Sequence, residues 1–166
     1  KKYGVVTQMG NQGHSTVKYH QFKHYVETGV VKDVERVVAH MNNARRWHKW
    51  EGRVYKFPGP ERIPATLDWD TWLATVPYHD YAKEYMVGEW RAWYDFGSGC
   101  MVDCGAHLID CVHQFLLKGD LPTEVNVVNQ TGWNRFVYPM SSTLNFKFAA
   151  NSFHDDFELD WYEGAK

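Results

Sequence analysis

The chain has 166 residues, enough for one domain with its own core, or one domain plus a remnant of another. A hydrophobic content of 44% and a charged content of 23% exclude a disordered polymer. The formal net charge of -2 gives no electrostatic case for nucleic acid or an anionic membrane, and no run of about 18 apolar residues argues for a membrane span.

Taken in chain order, Val5-Val6-Thr7-Gln8-Met9 lies between Gly4 and Gly10 and reads as a short buried strand ending in a loop. Residues 16–28 carry Val17, Phe22, Tyr25 and Val26 at helical spacing. Ser15 is the expected N-cap and Gly29 the stop. Residues 33–41 are rich in Val and read as a strand. Residues 42–63 break the pattern, and Pro58, Gly59, Pro60 and Pro64 predict an extended loop of the kind that lines sites. Asp68 opens a short helix over 67–73, and 76–94 is irregular and aromatic, so it should pack on the main body. Residues 101–118 form the strongest helix, stopped by Gly119 and Pro122. Residues 125–130, 143–149 and 157–162 read as strands, and Leu144, Phe146, Phe148 and Phe157, Leu159, Trp161 alternate. The order predicts an α+β fold: an open, largely antiparallel sheet with helices on one face.

Aromatic residues make up 16% of the chain, including 8 Trp and 10 Tyr. Such rings bury large apolar areas, so an aromatic core is the first reading, and a pocket that stacks on sugar C–H faces is the second. Three cysteines, an odd number, make no disulfide framework. Free thiols favour the cytoplasm. No signal peptide is seen, but a periplasmic location stays open because the chain starts at Lys1 without Met and its true N-terminus is not seen.

On the strongest helix, with Asp103 at zero, Met101, Leu108, Ile109, Val112, Phe115 and Leu116 fall between roughly 120° and 240° and form the core stripe. His107 lies at about 40° and Asp110 at about -20°, off that stripe. Asp103 and His107 are one turn apart. In a pocket they suit proton transfer, since imidazole titrates near neutrality and a carboxylate orients it. Without a pocket they are a surface ion pair. Cys100, Cys104, His107 and Cys111 do not make a zinc site, because positions 100 and 111 stand about 16 Å apart on one helix and zinc–sulfur bonds are about 2.3 Å. No metal is expected, and the cysteines read as small packing residues. Gly97 and Gly99 permit a tight approach to the helix start, and Gly105 marks a close contact with a ligand or another helix.

Trp90-Arg-Ala-Trp-Tyr-Asp-Phe-Gly-Ser-Gly-Cys-Met-Val-Asp-Cys-Gly-Ala-His107-Leu-Ile-Asp110 resembles the glucose–fructose oxidoreductase / inositol dehydrogenase family (Gfo/Idh/MocA). Gly99, Asp103, Gly105 and His107 match the fixed positions of its G-x-x-x-D-x-G-x-H signature. Thr7-Gln-Met-Gly-Asn-Gln-Gly-His-Ser15 is similar to the end of the family's nucleotide-binding domain. Leu67-Asp-Trp-Asp-Thr-Trp-Leu73 and Glu158-Leu-Asp-Trp-Tyr-Glu-Gly164 resemble runs of one branch. The four segments occur in collinear order.

The resemblance implies an N-terminal Rossmann domain that binds NAD or NADP, followed by a C-terminal α/β domain with an open sheet. Residues 1–14 would be the last strand and loop of the first, and 15–166 the substrate-binding and oligomerisation domain, incomplete as given. The implied reaction is hydride transfer on a sugar or polyol, with Asp103 contacting substrate and His107 moving a proton or binding a hydroxyl. Gln12 and His14 would lie near the nicotinamide. Trp90, Arg91, Tyr78 and His79 are candidate substrate contacts, and Arg91 equally suits a bridge between loops. No G-x-G-x-x-G and no E-K-P motif occurs, so the dinucleotide would be held mainly by residues outside this chain. The sheet face implies a homo-oligomer. Two alternatives remain: NAD-dependent glycoside hydrolysis through transient oxidation, and a non-catalytic sugar-binding or dimerising module.

Overall fold

A computed structural model of the protein describes residues 2–10, 12–41 and 54–164. The first part of the predicted 42–63 loop, including Arg45 and Arg46, lies outside the described residues. Residues 54–64 form no helix or strand, as expected from their prolines.

The sheet has four strands: β1 (Arg36–Met41), β2 (Glu124–Thr131), β3 (Ser141–Phe148) and β4 (Phe157–Glu163). Their order is β1-β4-β3-β2. β4 runs antiparallel to β3 and β3 to β2, while β1 joins the other edge of β4 in parallel, from Arg36 opposite Glu158 to Met41 opposite Glu163. The fold is therefore α+β with a mixed, largely antiparallel sheet. Period-two alternation turns Val37, Ala39 and Met41, Leu144, Phe146 and Phe148, and Phe157, Leu159 and Trp161 to one face. There they meet the helices in two adjoining clusters.

Three helices supply the other layer: α1 (Val17–Glu27), α2 (Trp69–Leu73) and α3 (Gly99–Phe115). The α1 N-cap is Thr16, one residue later than expected, and its hydroxyl accepts from the Tyr19 amide. Ser15 is instead the last residue of a 3-10 turn, Gln12–Ser15. Asp68 caps α2, accepting from the Thr71 amide and hydroxyl at 3.0 and 2.7 Å, and these bonds lower its carboxyl pKa. α3 starts and ends earlier than expected: Gly99 opens it, and Lys118 and Gly119, both at positive φ, form the turn that leaves it.

The aromatic stretch folds onto the body as two 3-10 turns, Lys83–Tyr85 and Glu89–Ala92. Tyr81, Tyr85 and Trp93 are buried with Trp69, Cys100, Cys104 and Trp161, so much of the ring content is core.

Three expectations fail. Val5-Val6-Thr7-Gln8-Met9 is no strand: it has no pairing partner among the described residues, and Val6 is 96% exposed. An apolar run becomes a strand only where another strand satisfies its backbone. Leu108 is 45% exposed despite its place on the predicted stripe. α3 meets the sheet at β1 and β4, and Leu108 belongs to neither core cluster. The atoms nearest to a Cβ on Gly105 are those of the Met101 and Ile109 side chains of its own helix, not those of another helix.

Candidate functional site

Asp103, His107, Asp110 and Gln114 follow one another at steps of four, three and four residues on α3, so they form one row within roughly 60° of arc. Cys100, Cys104 and Phe115, at roughly 60° to 120° from Asp103, flank the row and are buried in the core, while Ile109 and Val112 on the far side pack against the core clusters. Within the row, His107 and Gln114 are exposed and Asp103 and Asp110 are partly so.

Each member except His107 is engaged. Arg91 donates from Nε to Asp103 Oδ1 at 3.1 Å, and its guanidinium stacks on Trp90, 4.4 Å from the ring centroid. His14 Nε2 lies 2.6 Å from Asp110 Oδ2. The Tyr19 hydroxyl donates to Gln114 Oε1, while its ring packs on Phe115. Burial and the Asp110 charge raise the Tyr19 hydroxyl pKa, and the Gln114 bond opposes them. His107 is exposed and makes no hydrogen bond or ion pair with the described residues. In particular, Asp103 and His107 form no ion pair with each other, because the Asp103 carboxylate is turned to Arg91.

Two glycines make this arrangement fit. A Cβ on Gly97 would lie 2.5 Å from Arg91 Cα and 2.6 Å from its carbonyl oxygen. Only glycine lets the 89–92 turn close onto the helix start and deliver Arg91 to Asp103. Gly99 has φ +68°, and a Cβ there would strike the Tyr138 ring at 2.6 Å.

The structure brings Trp90, Arg91, Asp103, His107 and His14 to the row or its edge. It does not bring the others. His79 is enclosed by Phe57, Tyr85 and Phe96, with Nε2 2.8 Å from Asp95 Oδ2. Its carbonyl accepts from Trp69 Nε1. Those contacts hold a loop. Tyr78 is exposed, and neither Tyr78 nor His79 touches the row. Gln12 is exposed on the first 3-10 turn. Gln114 and Tyr19 were missed from the sequence. The 103, 107, 110, 114 spacing was the available signal for Gln114.

Three depressions among the described residues, of about 450, 860 and 460 Å³, are lined by residues other than Asp103, His107 and Asp110. His107 is exposed, and Asp103 and Asp110 are partly exposed. Among those residues, no group of three or more His, Cys, Asp or Glu is placed to hold a metal ion, and no helix is long and apolar enough to cross a membrane. Cys100 and Cys104 are buried and, like Cys111, stand outside any disulfide among the described residues; burial raises the pKa of the partly exposed Cys111 thiol.

No match is found among curated proteins. Comparison with family profiles matches residues 15–148 to one described as the C-terminal alpha/beta domain of the oxidoreductase family. The match covers α1, β1, the aromatic turns, the whole of α3 with its row, β2 and β3. The chain thus belongs to the Gfo/Idh/MocA oxidoreductase family, as its C-terminal alpha/beta domain.

Proposed function

We propose that this chain is the substrate-side half of an NAD- or NADP-dependent oxidoreductase that acts on a sugar or polyol by hydride transfer. The observation that carries the reading is the α3 row. An uncommitted, exposed imidazole at His107 stands between two carboxylates that are already fixed by other residues. An oxidised hydroxyl must lose its proton as its carbon loses hydride, and His107 is the group on the row free to take it. Asp103, held at Oδ1 by Arg91 and met at Oδ2 by the Cys104 thiol at 3.8 Å, keeps carboxylate lone pairs with which to accept from a substrate hydroxyl and so orient the reacting carbon.

Among the described residues, nothing fits a dinucleotide. Gln12 and Gly13 already lie in a 3-10 turn, followed by a helix capped by Thr16, and the run from Gly10 to Gly13 lacks the spacing that places a pyrophosphate at a helix N-terminus. We therefore assign the cofactor to residues outside this chain, and read residues 1–14 as the join to that half. Gln12 is the member of the join that remains a candidate cofactor contact.

The face of the sheet away from the core clusters is partly exposed among the described residues. It carries exposed Val38 and a His40 ring stacked on Tyr162 at 5.1 Å. We read it as the surface for a second copy, checked by light scattering of the intact protein.

The test of function is a panel of sugars and polyols offered to the full-length protein with NAD and NADP, followed by NADH absorbance. Reduction of cofactor by at least one supports the reading. No reduction by any, in either direction, overturns it.

A further inference from the structure

The family resemblance implies a cofactor contact for His14, and its side chain meets Asp110 on the α3 row. Its ring is fixed at an edge and on a face: Nε2 lies 2.6 Å from Asp110 Oδ2, and the ring stacks on Tyr19 at 4.5 Å and 19°. Tyr19 is itself fixed by Gln114 and Phe115. The His14 side chain stays 54% exposed and Asp110 36% exposed, so the pair is reachable from solvent. Asp110 is one turn beyond His107 on the same face, about 4.5 Å further along the axis. Two imidazoles therefore border one strip of surface. A hydroxyl brought to this pair can both donate and accept.

We propose that His14, keyed by Asp110, is a substrate-binding residue that sets a preference for a substrate presenting two hydroxyls, one to His107 and one to His14. This rests on the reading of the α3 row as a substrate site. It adds a second grip a helical turn away, and so a requirement for a polyol rather than a simple alcohol.

The test uses the full-length protein and equilibrium binding rather than turnover. Calorimetry with myo-inositol, glucose and the mono-deoxy analogues of each is run on wild type, His14→Ala and Asp110→Asn. NADH affinity is followed by fluorescence, and folding by circular dichroism. His14→Ala should weaken the best-bound polyol by about tenfold, one hydrogen bond's worth, and leave NADH affinity unchanged. One deoxy analogue should bind wild type and His14→Ala equally, because the hydroxyl and the imidazole are partners and their losses do not add. Asp110→Asn should give a smaller loss of the same pattern. A weakened NADH affinity with polyol binding intact overturns the proposal and returns His14 to the cofactor. Strictly additive losses overturn it too. If wild type binds no polyol, the reading of the row as a substrate site fails first, and this inference with it. If wild type binds polyols and His14→Ala binds them equally, this inference alone falls.

Discussion

Arg91 Nε donates to Asp103 Oδ1 at 3.1 Å and ties the turn before α3 to the helix itself. Both side chains are about one-third exposed, at 35% and 33%, so water screens the pair. Removing it should cost within about 1 kcal/mol. The effect on substrate should be larger. Arg91→Ala frees the Asp103 carboxylate to swing, and KM for the preferred sugar should rise about tenfold with only a small change in Tm. Arg91→Lys should not restore it, because an ammonium keeps neither the fork of donors nor the stacking on Trp90.

His107 is exposed and bonded to no described residue, so its removal should leave stability alone. His107→Ala in the full-length protein should lower kcat about 100-fold or more, while NADH affinity stays near wild type. Undiminished turnover in steady-state kinetics would end the assignment of proton transfer to this side chain.

Gly97→Ala places a methyl 2.5 Å from the Arg91 backbone, which has no flexible end to move aside. We expect a loss of roughly 1–3 kcal/mol, read as a lower denaturant midpoint. The KM defect of Arg91→Ala should accompany it. Gly13→Ala is the internal control: a Cβ there meets nothing within 4 Å, and its midpoint should not fall.

Glu163 is a buried carboxyl at the end of β4 that accepts from Trp161 Nε1 at 2.9 Å and from the Ser142 and Cys100 side chains. Burial raises its pKa, and these bonds only partly offset that. The folded state therefore holds this proton more tightly than the unfolded chain. The corresponding stability is fully present below the unfolded carboxyl pKa of about 4.3. It is lost as pH rises through the higher folded value. Glu163→Gln should remove that loss. Urea midpoints of wild type and variant should diverge, in the variant's favour, as pH rises from 4 towards neutrality.

The fold was legible where a local pattern had one outcome. Alternation in β3 and β4 requires a sheet with one buried face, and the periodic run of α3 with Gly119 beyond it bounds a helix to within three residues. Val5-Val6-Thr7-Gln8-Met9 misled because strand formation depends on a partner, and apolar content does not report one. The site was legible as a list and less so as a geometry. Asp103 and His107 stood out through their spacing and the resemblance. That Asp103 would turn to Arg91 depends on a backbone approach at Gly97. That Asp110 would meet His14 depends on two residues 96 positions apart.

The parallel pairing of β1 with β4 has a kinetic meaning. Arg36 bonds Asp160, 124 positions away, and the whole signature helix lies in the loop which that ladder closes. Loop closure must be met before such distant pairing is rewarded. Folding should therefore be slow for the chain's size and governed by that closure. α3 forms locally and early, but the floor beneath it is completed only when the two ends of the loop meet. Breakage anywhere along β4 thus undoes a site some fifty residues upstream without touching one of its side chains.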